Sequence, residues 1–431
     1  AWRCVIVSPF RPGSCYSTKM RDRLPTWAYV VAGLGVLVHV FFTLFPIPAG
    51  AGPVEKTLGR DMASYYYAVH VAADGGDPYD VEALSAAAQA DGTREEVHPY
   101  FYPPPFLVAA AWVLPLQLET AYRIGYWLDE IFLIAALLAL WRWWRPLDGA
   151  VVVAIALWGG LMFPAIYGHV MGQVNALILV LVIGGLALAE RDREIAGGAM
   201  VGAAAMFKMS PALFVAWWLL RGRPRAAASA CGTAVALSIL ALPLVGFPEQ
   251  LRFYTEILPG FGSGDYNGLL VKIGMFANHS LPNIVDQLIP GDSQRLSAGA
   301  RLLSGGISIG LLGAVGWQSR GQATDRQLAA QISALFLVAL LIPVYTYEHH
   351  LIFALPAMAL GTVMSWRGVL PRWAGAGVVG ASVVLCLPHQ ALKPLAKAME
   401  GPMGLLIQEA KFAALVALGA AMLSLAARPR N

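Results

Sequence analysis

The chain reads as an all-α polytopic membrane protein, and three observations predict it. Hydrophobic residues make up 58% of its 431 positions and charged residues only 13%, where a soluble domain carries about 25% charge. Mean hydropathy is +0.60. Apolar runs of about 20 residues, enough to cross a bilayer as a helix, recur along the whole chain. They contain Gly and Pro and show no ten-residue alternation, which favours helices over a β-barrel. The formal charge of +4 is too small to point to nucleic acid and reflects basic loops that hold the topology.

Residues 1–26 read as a cytoplasmic amino-terminal segment. Met20-Arg21-Asp22-Arg23 looks like a natural start, so residues 1–19 read as an upstream extension. The first apolar run, Trp27 to Ala49, is too long and too aromatic for a signal peptide and reads as a retained anchor. Cys4 and Cys15 precede it, Cys231 and Cys386 fall within apolar runs, and no spacing suggests zinc or a redox pair.

The Lys/Arg distribution orients the rest. Lys19, Arg21 and Arg23 belong inside, as do Arg142/Arg145, Arg191/Arg193, Arg221/Arg223/Arg225, Arg320/Arg326, Arg367/Arg372 and Arg428/Arg430. Later spans then fall at 149–167, 172–189, 194–208, 211–220, 227–247, 296–317, 327–346, 349–366, 372–390 and 404–426. Between Tyr102 and Arg142 lie two apolar runs, 106–118 and 121–141, where parity allows one crossing or three. The first is too short to span untilted. It reads as a re-entrant or interfacial helix starting at Pro103-Pro104-Pro105, giving about 12 crossings. Residues 27–426 thus form one transmembrane domain with outer loops 50–105 and 248–295, followed by a cytoplasmic tail at 427–431. The first loop carries amphipathic stretches near 57–74 and 80–91, separated by the turn Gly75-Gly76-Asp77-Pro78-Tyr79. Both are expected as helices on the membrane surface.

The unusual polar residues collect on the outer side. Asp61 lies just beyond the first span and is followed by Tyr65-Tyr66-Tyr67. Four turns follow: Gly168 to Asn175, Phe207 to Pro211, Phe276 to Leu281, and Tyr345-Thr346-Tyr347-Glu348-His349-His350. Polar groups at membrane depth are costly and usually face a cavity or a partner, so four such turns on one side indicate one hydrated pocket opening outward. Each also has an ordinary reading. Gln173 and Asn175 suit helix–helix hydrogen bonds, Lys208 suits snorkelling, and His349 and His350 suit a solvated helix start. Asp61 suits an N-cap, and the tyrosines suit an interfacial belt.

The ordered series Asp61…Tyr65-Tyr66, Asp77-Pro78-Tyr79, Tyr102-Pro103-Pro104-Pro105-Phe106, Gly172-Gln173-Val174-Asn175, Lys208-x-x-Pro211, Asn278-x-Ser280 and His349-His350 resembles glycosyltransferase family 87, of the GT-C class. The resemblance covers roughly residues 27–426. It implies inverting transfer of a monosaccharide, mannose foremost, from a polyprenyl-phosphate donor to a hydroxyl of a glycolipid or glycan acceptor. It places the reaction on the extracytoplasmic face of the bacterial cytoplasmic membrane, in cell-envelope glycolipid synthesis.

The chemistry is consistent with these residues. A phosphate leaving group needs no general acid, while the attacking hydroxyl needs a base, so one carboxylate suffices. Asp61 resembles the family's catalytic aspartate and is assigned as general base, with Glu348 as its rival. Lys208 is the first candidate for the donor phosphate; His349, His350, Arg252, Lys272 and His279 are further ones. Gln173, Asn175, Asn278 and Glu348 are candidates to read sugar or acceptor, and Tyr65, Tyr66 and Tyr102 to stack on sugar rings or line a prenyl entry. Asp61, Glu348 and the two histidines are metal ligands by type. Adjacent helical histidines point about 100° apart, however, and rarely share an ion, so transfer without metal or other cofactor is expected. A lipid-linked sugar flippase is the competing class, and an arabinofuranosyltransferase the competing activity. A transporter would show matched halves with polar breaks near the midplane, which this chain lacks.

Overall fold

The computed structural model describes residues 24–45, 59–269, 271–291, 294–399 and 401–427. The segment up to residue 23, with Cys4, Cys15 and the first basic cluster, lies outside the described residues, as do Arg428 and Arg430. The described residues are helical, with one isolated bridge, Tyr266 to Leu269, in place of any sheet.

Four helices are long and apolar enough to cross a bilayer alone: Thr26–Leu44, Leu118–Trp144, Pro224–Val245 and Ala298–Gln318. Three bent pairs raise the number to seven: Val151–Leu161 with Phe163–Met171, Arg372–Cys386 with His389–Ala398, and Pro402–Gln408 with Ala410–Ala426. The remaining expected crossings fall on shorter helices, Asn175–Ala189, Glu194–Phe207, Ala212–Leu220, Asp325–Leu341 and Leu355–Trp366. At about 1.5 Å per residue these stop short of a 30 Å hydrocarbon core. Several end where the polar outer turns begin.

Proline sets two of the breaks. Pro164 cannot continue the hydrogen-bond ladder of Val151–Leu161, and the run bends by 50° at Met162. The helix then resumes to Met171, so His169 is helical and only residues 172–174 form the turn expected from Gly168 onward. Pro388 ends Arg372–Cys386, and His389–Ala398 leaves at 100°. The span expected over 372–390 is therefore shorter, and a helix with no buried residue follows it.

The expected re-entrant segment at 106–118 is a single short helix, Pro105–Ala110, with one 3-10 turn, Ala111–Val113. The two helices of the first outer loop fall at Arg60–Ala73 and Val81–Ala90. Arg60–Ala73 sits deeper than a surface helix, with Met62 to Val69 continuously buried.

Of the apolar cores among the described residues, two are large. One lies among the membrane helices around Asp325–Leu341 and Leu355–Trp366, both largely buried. The other is a cap at one end of the helices in which Tyr65, Tyr79, Tyr100, Tyr102, Phe106 and Phe253 pack together. Large apolar side chains such as Leu37, Leu240, Leu302 and Ile309 are exposed on helices that face lipid. At the end opposite the cap the basic loops are tied to acids. Arg223 pairs with Glu190 and Glu194, and Arg367 pairs with Asp148 through two hydrogen bonds.

Small residues allow the tightest crossing, between Glu194–Phe207 and Pro224–Val245. A Cβ on Gly202 would lie 2.4 Å from the Ala230 carbonyl oxygen, and one on Gly198 would lie 2.2 Å from that of Ala226. Membrane helices gain dispersion contact by such close approach. Gly202→Val is expected to force the pair apart and destabilise the protein by about 1–3 kcal/mol, the usual cost of overpacking. A thermal melt of the detergent-purified variant checks this, and an unchanged midpoint would contradict the packing.

Candidate active site

Two glycines place Asp61 against the turn at 172–174. Gly59, at φ 62°, starts helix Arg60–Ala73 and donates its N–H to the Val170 carbonyl at 2.9 Å. A Cβ there would meet the Tyr122 ring at 2.8 Å. Gly172, at φ 73°, ends Phe163–Met171, and a Cβ there would lie 2.5 Å from Met62 Cβ. Only glycine accepts both the left-handed backbone and the contact. The turn therefore lies directly on the helix beside Asp61, with Gln173 as its next residue.

Gln173 Nε2 donates to Asp61 Oδ2 at 2.6 Å. Its Oε1 accepts from Tyr102 Oη at 3.2 Å and Lys208 Nζ at 3.5 Å. Lys208 Nζ also donates to Asn175 Oδ1 at 2.7 Å, and Asn175 Nδ2 donates to the His349 carbonyl at 2.9 Å. Tyr65 Oη donates to Tyr102 Oη at 2.9 Å. One connected network thus joins Asp61, Tyr65, Tyr102, Gln173, Asn175, Lys208 and the backbone of His349. Asp61 is not the helix cap, since that position is Gly59. Gln173 and Asn175 do bond between segments, but to site residues.

The charges are unevenly compensated. Asp61 keeps a side chain 18% exposed, with Arg60 Nε 3.6 Å away. Burial pushes its carboxyl up, but the fields of Arg60 and His349 and the Gln173 hydrogen bond bring it below its usual 3.8. Its position in the first turn, at the positive end of the helix dipole, also favours the anion. Lys208 makes no ion pair among the described residues; its contacts are two amide oxygens and the face of Tyr102 at 5.9 Å. An ammonium with neutral partners is a ready anion site.

Aromatic rings and an apolar hollow flank the network. Tyr65 stands edge-on to Tyr102 and Phe106, with centroids 5.0 Å away in each case. The His349 ring stacks on Tyr167 at 6.1 Å and meets His350 at 4.3 Å, and its Nδ1 has no hydrogen-bond partner. A cavity of about 80 Å³ opens beside Gln173, walled by Tyr65, Phe106, Val113, Leu128 and Phe132.

The other sequence candidates sit apart from this network. Tyr66 donates to the Leu116 carbonyl at 2.8 Å. Arg252 pairs with Asp77 and reaches Glu256 at 3.5 Å. Asn278 braces a loop: its Nδ2 donates to the Ile273 and Val344 carbonyls, and its Oδ1 accepts the Thr346 N–H. Glu348 is buried against Lys411 and His279, the latter at 3.0 Å. His350 Nδ1 accepts the Tyr347 N–H at 3.0 Å and so caps its own 3-10 turn. The carboxylate and histidine set weighed as metal ligands is thereby divided, with Glu348 turned to Lys411 and Asp61 to Gln173.

Two clusters escaped the sequence. Lys411 lies in an apolar run far from Glu348, and nothing local marks it. His39, Asp129, Glu130 and His169 come together from three helices. Only the isolated acids within the apolar run 121–141 hinted at this.

The profile of glycosyltransferase family 87 matches residues 100–343, more than half of the chain. That match includes Tyr102, Gln173, Asn175 and Lys208. A polyprenol-phosphate-mannose-dependent alpha-(1-2)-phosphatidylinositol pentamannoside mannosyltransferase of Mycolicibacterium smegmatis is 27% identical over 370 residues, 83% of this chain and 80% of that protein. A polyprenol-phosphate-mannose-dependent alpha-(1-2)-phosphatidylinositol mannoside mannosyltransferase of Mycobacterium tuberculosis is 24% identical over 219 residues, 50% of this chain and 47% of its own length. Its Mycolicibacterium smegmatis namesake is 24% identical over 206 residues, 46% of this chain and 43% of its own. The alignments to these two span about half their length.

Gly172→Ala tests the seating of the turn. The added methyl group and the strained backbone, together about 1–3 kcal/mol, are expected to push Gln173 away from Asp61. Activity should fall more than tenfold, with a smaller loss of thermal stability. Unaltered turnover would show that the contact is dispensable.

Proposed function

We propose a function from one premise: the chain belongs to glycosyltransferase family 87. It is a membrane glycosyltransferase, and the Asp61 network is read as its active site. The proposed reaction moves mannose from a polyprenyl-phosphate donor to a hydroxyl of a mannosylated glycolipid, on the extracytoplasmic face. The donor and a phosphatidylinositol-mannoside type of acceptor follow the names of the relatives, of which the pentamannoside enzyme aligns over most of its length. The basic loops lie at the helix ends opposite the network, which supports the outward face.

The observation that carries the reading is the pairing of Asp61 and Lys208 across Gln173. Asp61, held ionised, takes the proton of the attacking hydroxyl. The anomeric carbon is attacked from the face opposite the phosphate, so a β-linked donor gives an α-linked product. The phosphate leaves as a stable anion, and Lys208 holds it. Charge-assisted bonds to developing anionic charge in a water-poor site stabilise the transition state. The cavity beside Gln173 is read as the seat of the first prenyl units, because its walls are mostly apolar, with Gln173 and Asp129 as the polar exceptions, and Gln173 also bonds Lys208. Asn175 and Tyr102 orient Lys208, and the free Nδ1 of His349 is available to a sugar hydroxyl. The proposed displacement calls for no exchangeable metal at Asp61.

Asp61→Asn is expected to lower turnover by about 10²–10⁴-fold, the usual contribution of a positioned base, while donor binding and the thermal midpoint hold. Near-normal turnover of the purified variant would remove Asp61 as base. Because Arg60, His349 and the Gln173 hydrogen bond hold the Asp61 carboxyl below its ordinary range, its contribution is present at neutral pH and is lost only as pH falls through that depressed value. The acid limb of kcat/KM in wild type therefore lies below the ordinary carboxylate range if it belongs to Asp61. A limb near neutrality that disappears in Asp61→Asn would contradict this.

Lys208→Ala is expected to weaken donor binding by about 10- to 100-fold, the worth of one hydrogen bond to a charged group. Equal loss of binding for polyprenyl phosphate without sugar would place the effect at the phosphate. Unchanged affinity for both would move the phosphate site elsewhere.

A further inference from the structure

Behind Gln173 and the start of helix Asn175–Ala189 lie four ionisable side chains to which the transfer reading gives no chemical role. His39 comes from Thr26–Leu44, Asp129 and Glu130 from Leu118–Trp144, and His169 from Phe163–Met171. All four are buried. His169 Nε2 lies 2.8 Å from Glu130 Oε2, and His169 Nδ1 lies 2.7 Å from Asp129 Oδ2. His39 Nε2 lies 3.1 Å from the same Glu130 oxygen. Asp129 turns its other oxygen to the Ala176 N–H at 3.3 Å, at the start of Asn175–Ala189.

This arrangement has two charge solutions. Two carboxylates and two neutral imidazoles carry two negative charges, which is expensive among membrane helices. Protons alone neutralise it by making both histidines imidazolium, with ring centroids 6.4 Å apart, or by keeping a carboxyl protonated. A single divalent cation does the same work with both rings neutral. Ligand atoms of His39, Glu130 and His169 lie within 4.8 Å of one another, against about 3.3 Å between ligands in a tetrahedral zinc site. Entry of the ion widens the 2.8 Å contact of His169 with Glu130 and draws the more separated ligand atoms closer together. His169 would bind through Nε2 and keep its proton on Nδ1, where Asp129 already stands. That is the carboxylate behind histidine that fixes a metal-bound ring.

We propose that His39, Glu130 and His169 form a structural site for a divalent transition metal, zinc foremost, with Asp129 as the residue that orients His169. Two imidazoles and one carboxylate suit zinc better than magnesium or calcium, which prefer all-oxygen sets. A water or the second Glu130 oxygen completes four-coordination. The ion ties three helices together immediately before Gly172 and, through Asp129, fixes the first turn of Asn175–Ala189. It thus positions Gln173 and Asn175 without touching the transferred sugar, and the proposal does not depend on which sugar that is.

The test uses the full chain purified in detergent, equilibrated with buffered Zn²⁺, freed of loose metal and assayed by elemental analysis. About one zinc per chain is expected. Cobalt in its place should give visible d–d absorption bands of a four-coordinate site. Asp61→Asn should retain the metal, and His39→Asn should lose it along with the cobalt bands. Wild type is also expected to melt higher with zinc than without, since an ion bound only by the folded state stabilises it. Folding failure of His39→Asn leaves the wild-type stoichiometry and cobalt spectrum as the deciding measurements. Negligible zinc in folded wild type, with no cobalt bands, would overturn the proposal and leave a cluster neutralised by protons alone.

Discussion

The site depends on a neutral amide held between an anion and a cation. Gln173 gives its N–H to Asp61 and takes the Lys208 ammonium on its oxygen. Were the carboxylate and ammonium to touch, each would neutralise the other, and neither would be free for a proton or a phosphate. The amide satisfies both by hydrogen bonding while carrying no charge. Its orientation is forced: Tyr102 and Lys208 both present donors to one end, and a carboxylate faces the other. Reversal would set N–H against ammonium and oxygen against carboxylate.

Everything that locates this amide lies in the backbone around it. Gly59 and Gly172 let two segments touch where any side chain would hold them apart. Asn175, two residues further on, takes the second contact of Lys208 and ties the turn to the His349 carbonyl. The cap of tyrosines and phenylalanines packs over the same point, so Tyr65 and Tyr102 serve both as core and as donors. Breaking the run at Pro164 aims the end of Phe163–Met171 toward Asp61, which a straight span would not do.

Charge compensation separates scaffold from site. Glu348, Lys411 and His279 form a closed buried set, and Arg223 and Arg367 are matched by acids at the opposite end. In those places the cost of burying charge is met within the fold. At Lys208 it is met only by amide oxygens, leaving room for an anion from outside. Burial alone therefore does not set Lys208 apart from Lys411; the lack of an ion pair among the described residues does.

Composition and apolar run length were enough to establish a helical membrane protein. The expected spans 149–167 and 372–390 ran straight through Pro164 and Pro388, where the helices break, while Lys/Arg placement was read as setting the polar turns on one side. Those signals are local, and they brought Asp61, Gln173, Asn175 and Lys208 onto one list because membrane depth makes each of them costly. They could not separate those residues from Arg252, Asn278 and Glu348, which are equally polar and equally outward. That division rests on partners far away in the chain: Asp77 for Arg252, Val344 for Asn278 and Lys411 for Glu348. The His39, Asp129, Glu130 and His169 cluster was hidden for the same reason, since one histidine in an apolar helix has no local periodicity to betray its partner 91 positions away. Sequence by itself determined which residues are expensive to bury. Only the tertiary structure decided which of them have that expense met by a neighbour, because counterions meet across helices and not along them.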